Sequence, residues 1–167
     1  MQPGVLENSD GTKYLELGRA NAFLGLVRAG NAVVQTLDKS LRDQCGLGLH
    51  AFEILLFLAV FAEGHQLRMA ELNQRAVLSQ SQVSRVVAAL ESDGLVTRHA
   101  DPIDSRAVMV SISDRGVASF KAAQDHHLRD LQEHVFARLT EEEIRQLGEI
   151  TAKLLGGYAT GKPSLEQ

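Results

Sequence analysis

Cysteine is nearly absent from this 167-residue chain: the single thiol, Cys45, has no partner for an intramolecular disulfide. Long apolar runs are missing too. The longest, Ile54 to Ala62, stops at Glu63 well short of the roughly 18 residues a bilayer crossing requires, so it reads as a buried helix and no membrane partner is expected. The first residues hold no basic stretch followed by an apolar core, which leaves no mark of export and points to a cytoplasmic protein. No nucleophile and base stand in a recognisable motif, and the glycines fall at helix ends rather than in a phosphate loop. An enzyme is therefore not expected, and there is no catalytic residue, cofactor or metal ligand to assign. A surplus of positive charge is also lacking. The net charge of -4 and pI near 5.8 argue against the simplest kind of nucleic-acid binder.

What is present is helical periodicity, with 44% hydrophobic residues, enough for a core. From about Lys13 to Gln44, apolar residues at 17, 20, 24, 27, 34, 37 and 41 keep helical spacing, and 23, 26 and 33 widen the stripe. Such a helix has two sides to bury, one against its own domain and one against a partner helix. Gly46 and Gly48 separate it from a second helix, Leu49 to Glu63, apolar almost all round. A short helix from Arg68 to Arg75 follows, then one capped by Ser79 and ended by Gly94. Leu95 to His99 and Ala107 to Ile112 alternate as strands around the turn formers Ala100 to Ser105, a β-hairpin. Ser113 caps a long helix reaching Leu139, and Thr140 with Glu143 forms a capping box for the last. The ends, 1–12 and 159–167, are expected to be flexible tails.

Helix, tight turn, helix and hairpin make a winged helix-turn-helix, in which the second helix enters the major groove and the hairpin meets the backbone or minor groove. The expected fold is thus mainly α with a small β-hairpin wing. In the second helix, Val83, Val86, Val87 and Leu90 form an apolar face, leaving Gln80, Ser81, Gln82, Ser84 and Arg85 exposed near its start. Gln pairs bidentately with adenine, Arg with guanine, and Ser bonds base or phosphate; a capped, solvated helix start has the same composition. Between Leu67 and Ile112, Arg68, Arg75, Arg85, Arg98 and Arg106 are balanced by Glu71, Glu91, Asp93, Asp101 and Asp104. Placement, not net charge, must then decide.

The stretch from Met69 to Gly116 resembles the MarR family of bacterial regulators. The resemblance rests on Leu90, Glu91, Gly94, Leu95 and Val96, on Asp101, Pro102, Asp104 and Arg106 in the wing, and on Ser113 and Gly116. Two departures are a turn, Ala76 to Leu78, without glycine, and Ser105 where many relatives carry a basic residue. The resemblance implies one domain over 13–158, with a winged helix-turn-helix at 49–112 and dimerisation helices at 13–45 and 113–158. It implies a sequence-specific transcriptional regulator, more often a repressor, binding an inverted-repeat operator in double-stranded DNA as a homodimer. Ser79, Gln80, Ser81, Gln82, Ser84 and Arg85 would meet the major groove. Arg106, held by Asp104, would enter the minor groove, where a guanidinium is drawn by focused negative potential. Arg98 is either a phosphate contact or a solvated strand residue.

The resemblance also leaves room for release by a small aromatic acid. Arg19, Arg28 and His50 are candidates for its polar partner, and none is assigned. His127, Asp130 and His134 share a helical face near His126, compatible with a metal-responsive regulator but more in keeping with solvated histidines. Cys45 is read as inert rather than redox-sensing. A winged-helix module for protein contact is the remaining alternative, and the acidic net charge favours it.

Overall fold

The computed structural model describes residues 3–157, so the expected C-terminal tail at 159–167 lies outside it. Val5–Glu7, within the stretch expected to fray, forms β1 and pairs with β2 (Lys13–Leu15), which was expected to open the first helix; Leu6 lies opposite Tyr14. The turn between the two strands is held by local bonds: Asn8 N–H donates to Thr12 O, and the Thr12 N–H donates to Asp10 Oδ1 at 2.9 Å. Gly11, at φ +84°, supplies the left-handed residue the turn needs. Three-residue strands leave too little alternation to read from sequence.

Helix α1 (Leu17–Cys45) contains no proline and so runs unbroken until Gly46, at φ +69°, whose N–H donates to Arg42 O. The chain divides within it into two compact units, one up to Thr36 and one from Leu37. Burial follows that division. Leu37 and Leu41 lie in a core, whereas Leu17, Phe23, Leu24, Leu26, Val27 and Val34 are exposed. Helix α2 (Leu49–Val60) starts at Gly48, which has no side chain to cap it. Asp38 supplies the cap from α1, its Oδ1 accepting from Leu49 N–H at 2.8 Å while Arg42 Nε holds its Oδ2.

After a 3₁₀ turn at Glu63–His65 come β3 (Gln66–Arg68), α3 (Met69–Arg75), α4 (Gln80–Ser92), β4 (Val96–Ala100) and β5 (Val108–Ile112). The sheet order is β3-β5-β4, antiparallel throughout, with Arg68 opposite Met109 and Ala100 opposite Val108. The third strand, β3, is too short to read from sequence. Helix α5 (Asp114–His134) ends earlier than expected because Val135 leaves helical geometry at φ -118°, ψ -67°, and a 3₁₀ turn at Phe136–Arg138 follows. Thr140 and Glu143 then form the expected capping box of α6 (Glu141–Gly157).

In the second unit, Phe52, Ile54, Leu55 and Leu58 of α2 are almost wholly buried, as are Leu72, Val83, Val87, Leu90 and Val110. Phe52 stacks on Phe120 with ring centroids 5.6 Å apart. The apolar face of α4 thereby fixes which of its side chains look outward.

Candidate nucleic-acid interface

Ser79 caps α4 in extended geometry, and with Gln82 it forms a reciprocal box that the sequence did not flag. Ser79 N–H donates to Gln82 Oε1 at 2.9 Å, Gln82 N–H reaches back to Ser79 Oγ, and Ser79 Oγ itself donates to Gln82 Oε1 at 2.8 Å. Of the six residues expected to face DNA on this helix, these two are partly engaged in holding its first turn. Gln80, Ser81, Ser84 and Arg85 are all exposed while Val83 and Val87 are buried, and Ser81 and Arg85 lie on the side away from those valines. Arg85 Nε leans on Ser81 O at 3.4 Å, with no carboxylate partner among the described residues.

The wing departs from expectation at its acids. Asp104 Oδ1 accepts the backbone N–H of Arg106 at 3.1 Å, whereas the Arg106 guanidinium bonds to nothing among the described residues. A short carboxylate two residues away closes the turn more readily than it reaches the end of a long side chain. Asp101 is the organising acid of the wing: its side chain is 4% exposed and pairs with Arg68 Nε at 2.6 Å. Donation from Ile103 N–H, together with Arg68 and Asp104 N–H, holds this carboxyl below its usual range against the opposing effect of burial. An Asp-Pro dipeptide is a local sign of such a turn. Nothing in sequence signals Arg68, 33 residues away.

Arg98, left between phosphate contact and solvated strand, is exposed on β4 and bonded to Glu91. Glu91 takes its Nε at 2.8 Å and its backbone N–H at 3.0 Å, tying the end of α4 to β4. The Glu91 carboxyl is lowered and the Arg98 guanidinium raised by that bond. Glu71, in turn, accepts Arg68 N–H at 2.7 Å at the start of α3. Four of the five acids in this neutral segment are therefore occupied with caps, turns and pairs. Arg85 and Arg106 are left to project.

The other candidates resolve plainly. His127 packs on Phe52, ring centroids 4.6 Å apart, and its Nδ1 is buried without a partner; His126 Nε2 meets Ser40 Oγ at 2.8 Å. Among the described residues no three His, Cys, Asp or Glu side chains gather as a metal site. Burial and the Asp130 charge raise the Cys45 thiol, the opposite of an activated cysteine. Arg19 pairs with Glu16, and His50 lies on a cleft of about 490 Å³ beside α4 that Arg42, Leu47, Gln82, Arg85 and Asp93 also line.

Burial pushes the His127 imidazole below its ordinary range, with His126 adding to this and the charges of Asp130 and Glu53 opposing it. The unfolded chain then binds more protons than the folded one below about pH 6.5, so stability is full above that value and falls as pH drops toward the lowered pKa. Urea midpoints at pH 7.5 and 5.5 are expected to show this decline, and His127→Asn to flatten it. An unchanged slope in the variant would refute the assignment.

An exposed polar first turn on a capped helix, beside a three-stranded wing with a projecting arginine, defines a winged helix-turn-helix DNA-binding protein. Residues 46–107 match the model of the MarR family. The chain is 23% identical over 132 residues to the HTH-type transcriptional regulator MhqR of Bacillus subtilis (strain 168), covering 79% of this chain and 88% of that one. It is 25% identical over 125 residues to the HTH-type transcriptional repressor IacR of Pseudomonas putida, covering 75% and 72%. The crystal structure of Sco3205, a MarR family transcriptional regulator from Streptomyces coelicolor solved in complex with DNA, superposes with a TM-score of 0.84. Identity there is 28%, over 93% of this chain and 95% of that one. The family model, the relatives and the superposed structure together support a MarR-family winged-helix transcriptional regulator that binds DNA, and the proteins it is similar to are regulators rather than enzymes. No single helix among the described residues is long and apolar enough to cross a membrane.

Proposed function

We propose that the protein is a repressor that binds an inverted-repeat operator as a homodimer. In this reading Gln80, Ser81, Gln82, Ser84 and Arg85 address base edges in the major groove, with Ser79 holding the helix start, and Arg106 enters the adjacent minor groove. Asp104 shapes the loop that carries Arg106, and Arg98, exposed on β4 and paired with Glu91, lies where it can meet a phosphate. The single observation that carries this reading is the placement of charge. In a segment with equal numbers of acids and bases, Arg85 and Arg106 are the exposed cations at the helix start and wing tip, and no acid among the described residues pairs with either.

Residues 49–112 form the reading head in this proposal, and 13–45 with 113–158 the dimerisation module, for which the exposed apolar residues of α1 and α6 are the support. A two-fold dimer sets two heads about 34 Å apart, one turn of DNA. Release by a small aromatic acid is part of the proposal, and the cleft lined by Arg42, His50 and Arg85 beside α4 has room for one.

Mobility shifts on the DNA upstream of the protein's own gene test the head. Arg85→Ala and Arg106→Ala are each expected to weaken binding by about 10- to 100-fold and to lower the salt slope where a phosphate contact is lost. The Arg85 loss should depend on operator sequence, and that of Arg106 on the width of the flanking minor groove. Parental affinity for both variants across salt concentrations would remove this reading, and an absence of DNA binding at low salt would favour the protein-contact alternative.

A further inference from the structure

Every residue of the wing loop from Pro102 to Arg106 is exposed, and Ile103, its one large apolar side chain, is 89% exposed. No apolar anchor therefore fixes the direction of the loop. What holds it is polar and converges on one carboxylate. Asp101 Oδ1 accepts from Ile103 N–H at 2.7 Å and Asp104 N–H at 3.3 Å, and Oδ2 accepts from Arg68 Nε at 2.6 Å. Asp101 N–H donates to Ala107 O and Ala107 N–H to Asp104 O, closing the loop at its base. Arg68 is the residue immediately before α3, the first helix of the helix-turn-helix pair, and lies opposite Met109 of β5. One buried carboxylate is thus bonded both to the wing loop and to the entry of the helix pair.

We propose that Asp101, clamped by Arg68, is a positioning residue for DNA recognition: it aims the wing loop, and hence Arg106, relative to the helix-turn-helix. The inference rests on the reading of Arg106 as a DNA contact. A charged hydrogen-bond pair of this kind is directional, since the guanidinium Nε–H and two amide N–H groups approach from different sides of the carboxylate. Removing the acceptor leaves Ile103 and Asp104 N–H to water and frees the loop to sample directions in which Arg106 misses the groove. Arg68 keeps a second role in the sheet, so its side chain can be altered without removing the backbone ladder to β5.

Asp101→Ala is expected to lower operator affinity about tenfold, and Arg68→Gln somewhat less, with Arg68→Lys recovering part of the loss. Asp101→Asn, which keeps an acceptor for the amides but loses the charge facing Arg68, should fall between. Hydrogen exchange at the Ile103 and Asp104 amides of the free full-length protein should quicken in Asp101→Ala, with the urea midpoint confirming a folded chain. The deciding measurement is epistasis. In an Arg106→Ala background, Asp101→Ala should cost no further affinity, because the effect passes through Arg106. An added, independent loss would mean a general structural role and overturn the proposal. So would parental affinity in Asp101→Ala beside a weakened Arg106→Ala, an outcome that leaves the DNA contact intact. Parental affinity in Arg106→Ala itself would remove the contact reading and this inference with it.

Discussion

Phe23→Glu combined with Val27→Glu is expected to render the protein monomeric and to weaken operator binding by about 10²- to 10⁴-fold, the gain that linking two binding modules provides. Phe23 and Val27 are four residues apart on α1 and share a face, 59% and 44% exposed. Leu17, Leu24, Leu26 and Val34 are exposed on the same helix, and Leu147, Ile150, Leu154 and Leu155 make a second uncovered stripe on α6. Single exposed apolar residues need no explanation, but two apolar stripes exposed in this way are what the proposed dimer would cover. Each buried aromatic or aliphatic side chain of this size contributes about 1.5–3 kcal/mol when removed from water, whereas a glutamate in its place carries an unpaired charge into the interface. Sedimentation equilibrium, with mobility shifts on the same samples, checks both parts. A double variant that remains dimeric places the interface elsewhere; a monomer with parental affinity means that one head suffices.

The sequence was most legible where period and punctuation agree. The α4 stripe of Val83, Val87 and Leu90, the cap at Ser79 and the left-handed Gly94 bound one helix from both ends, and a match to the family falls on the same residues. Strands of three residues carry no usable period, which is why β1, β2 and β3 were not expected. The long stripe on α1 was read as two-sided, yet the sequence does not say where burial begins. Leu37 and Leu41 are covered by their own chain and Phe23 is not. Within the reading head, residue types were visible and partners were not. Asp104 and Arg106 are neighbours in sequence, so a side-chain pair looked natural, but the bond that forms is to the backbone. The side chains that join the wing to the helix pair, Arg68 and Asp101, are brought together only by the β3-β5-β4 order. Glu91 with Arg98 likewise spans the end of α4 and a strand. Contacts of this kind neutralise the segment internally, which is how a protein of net charge -4 can still present arginine at its reading face.

Gly116→Ala should be among the most destabilising single changes in the second unit, although a helix interior ordinarily favours alanine over glycine by up to about 1 kcal/mol. Gly116 is buried in the first turn of α5, and a Cβ there would stand 2.1 Å from Leu95 O and 2.7 Å from Ile112 Cγ1. The carbonyl cannot easily give way. It already accepts Ser113 N–H at 3.0 Å, while Ser113 Oγ donates to Gly94 O at 2.7 Å and accepts Gly116 N–H at 2.9 Å. Relieving the clash means lifting the start of α5 off Leu95, the residue just before β4, and so loosening both the cap and the base of the wing. Overpacking of this kind costs about 1–3 kcal/mol or more, which outweighs the propensity gain. Gly148→Ala on α6 is the matched control, since nothing lies within 4 Å of its added methyl, and it should stabilise by about 0.5–1 kcal/mol. Urea unfolding of the two variants should therefore move the midpoint in opposite directions, with Gly116→Ala also losing DNA affinity through the displaced wing. If Gly116→Ala matched the parent in stability, the close packing of α5 against the start of the wing would be wrong.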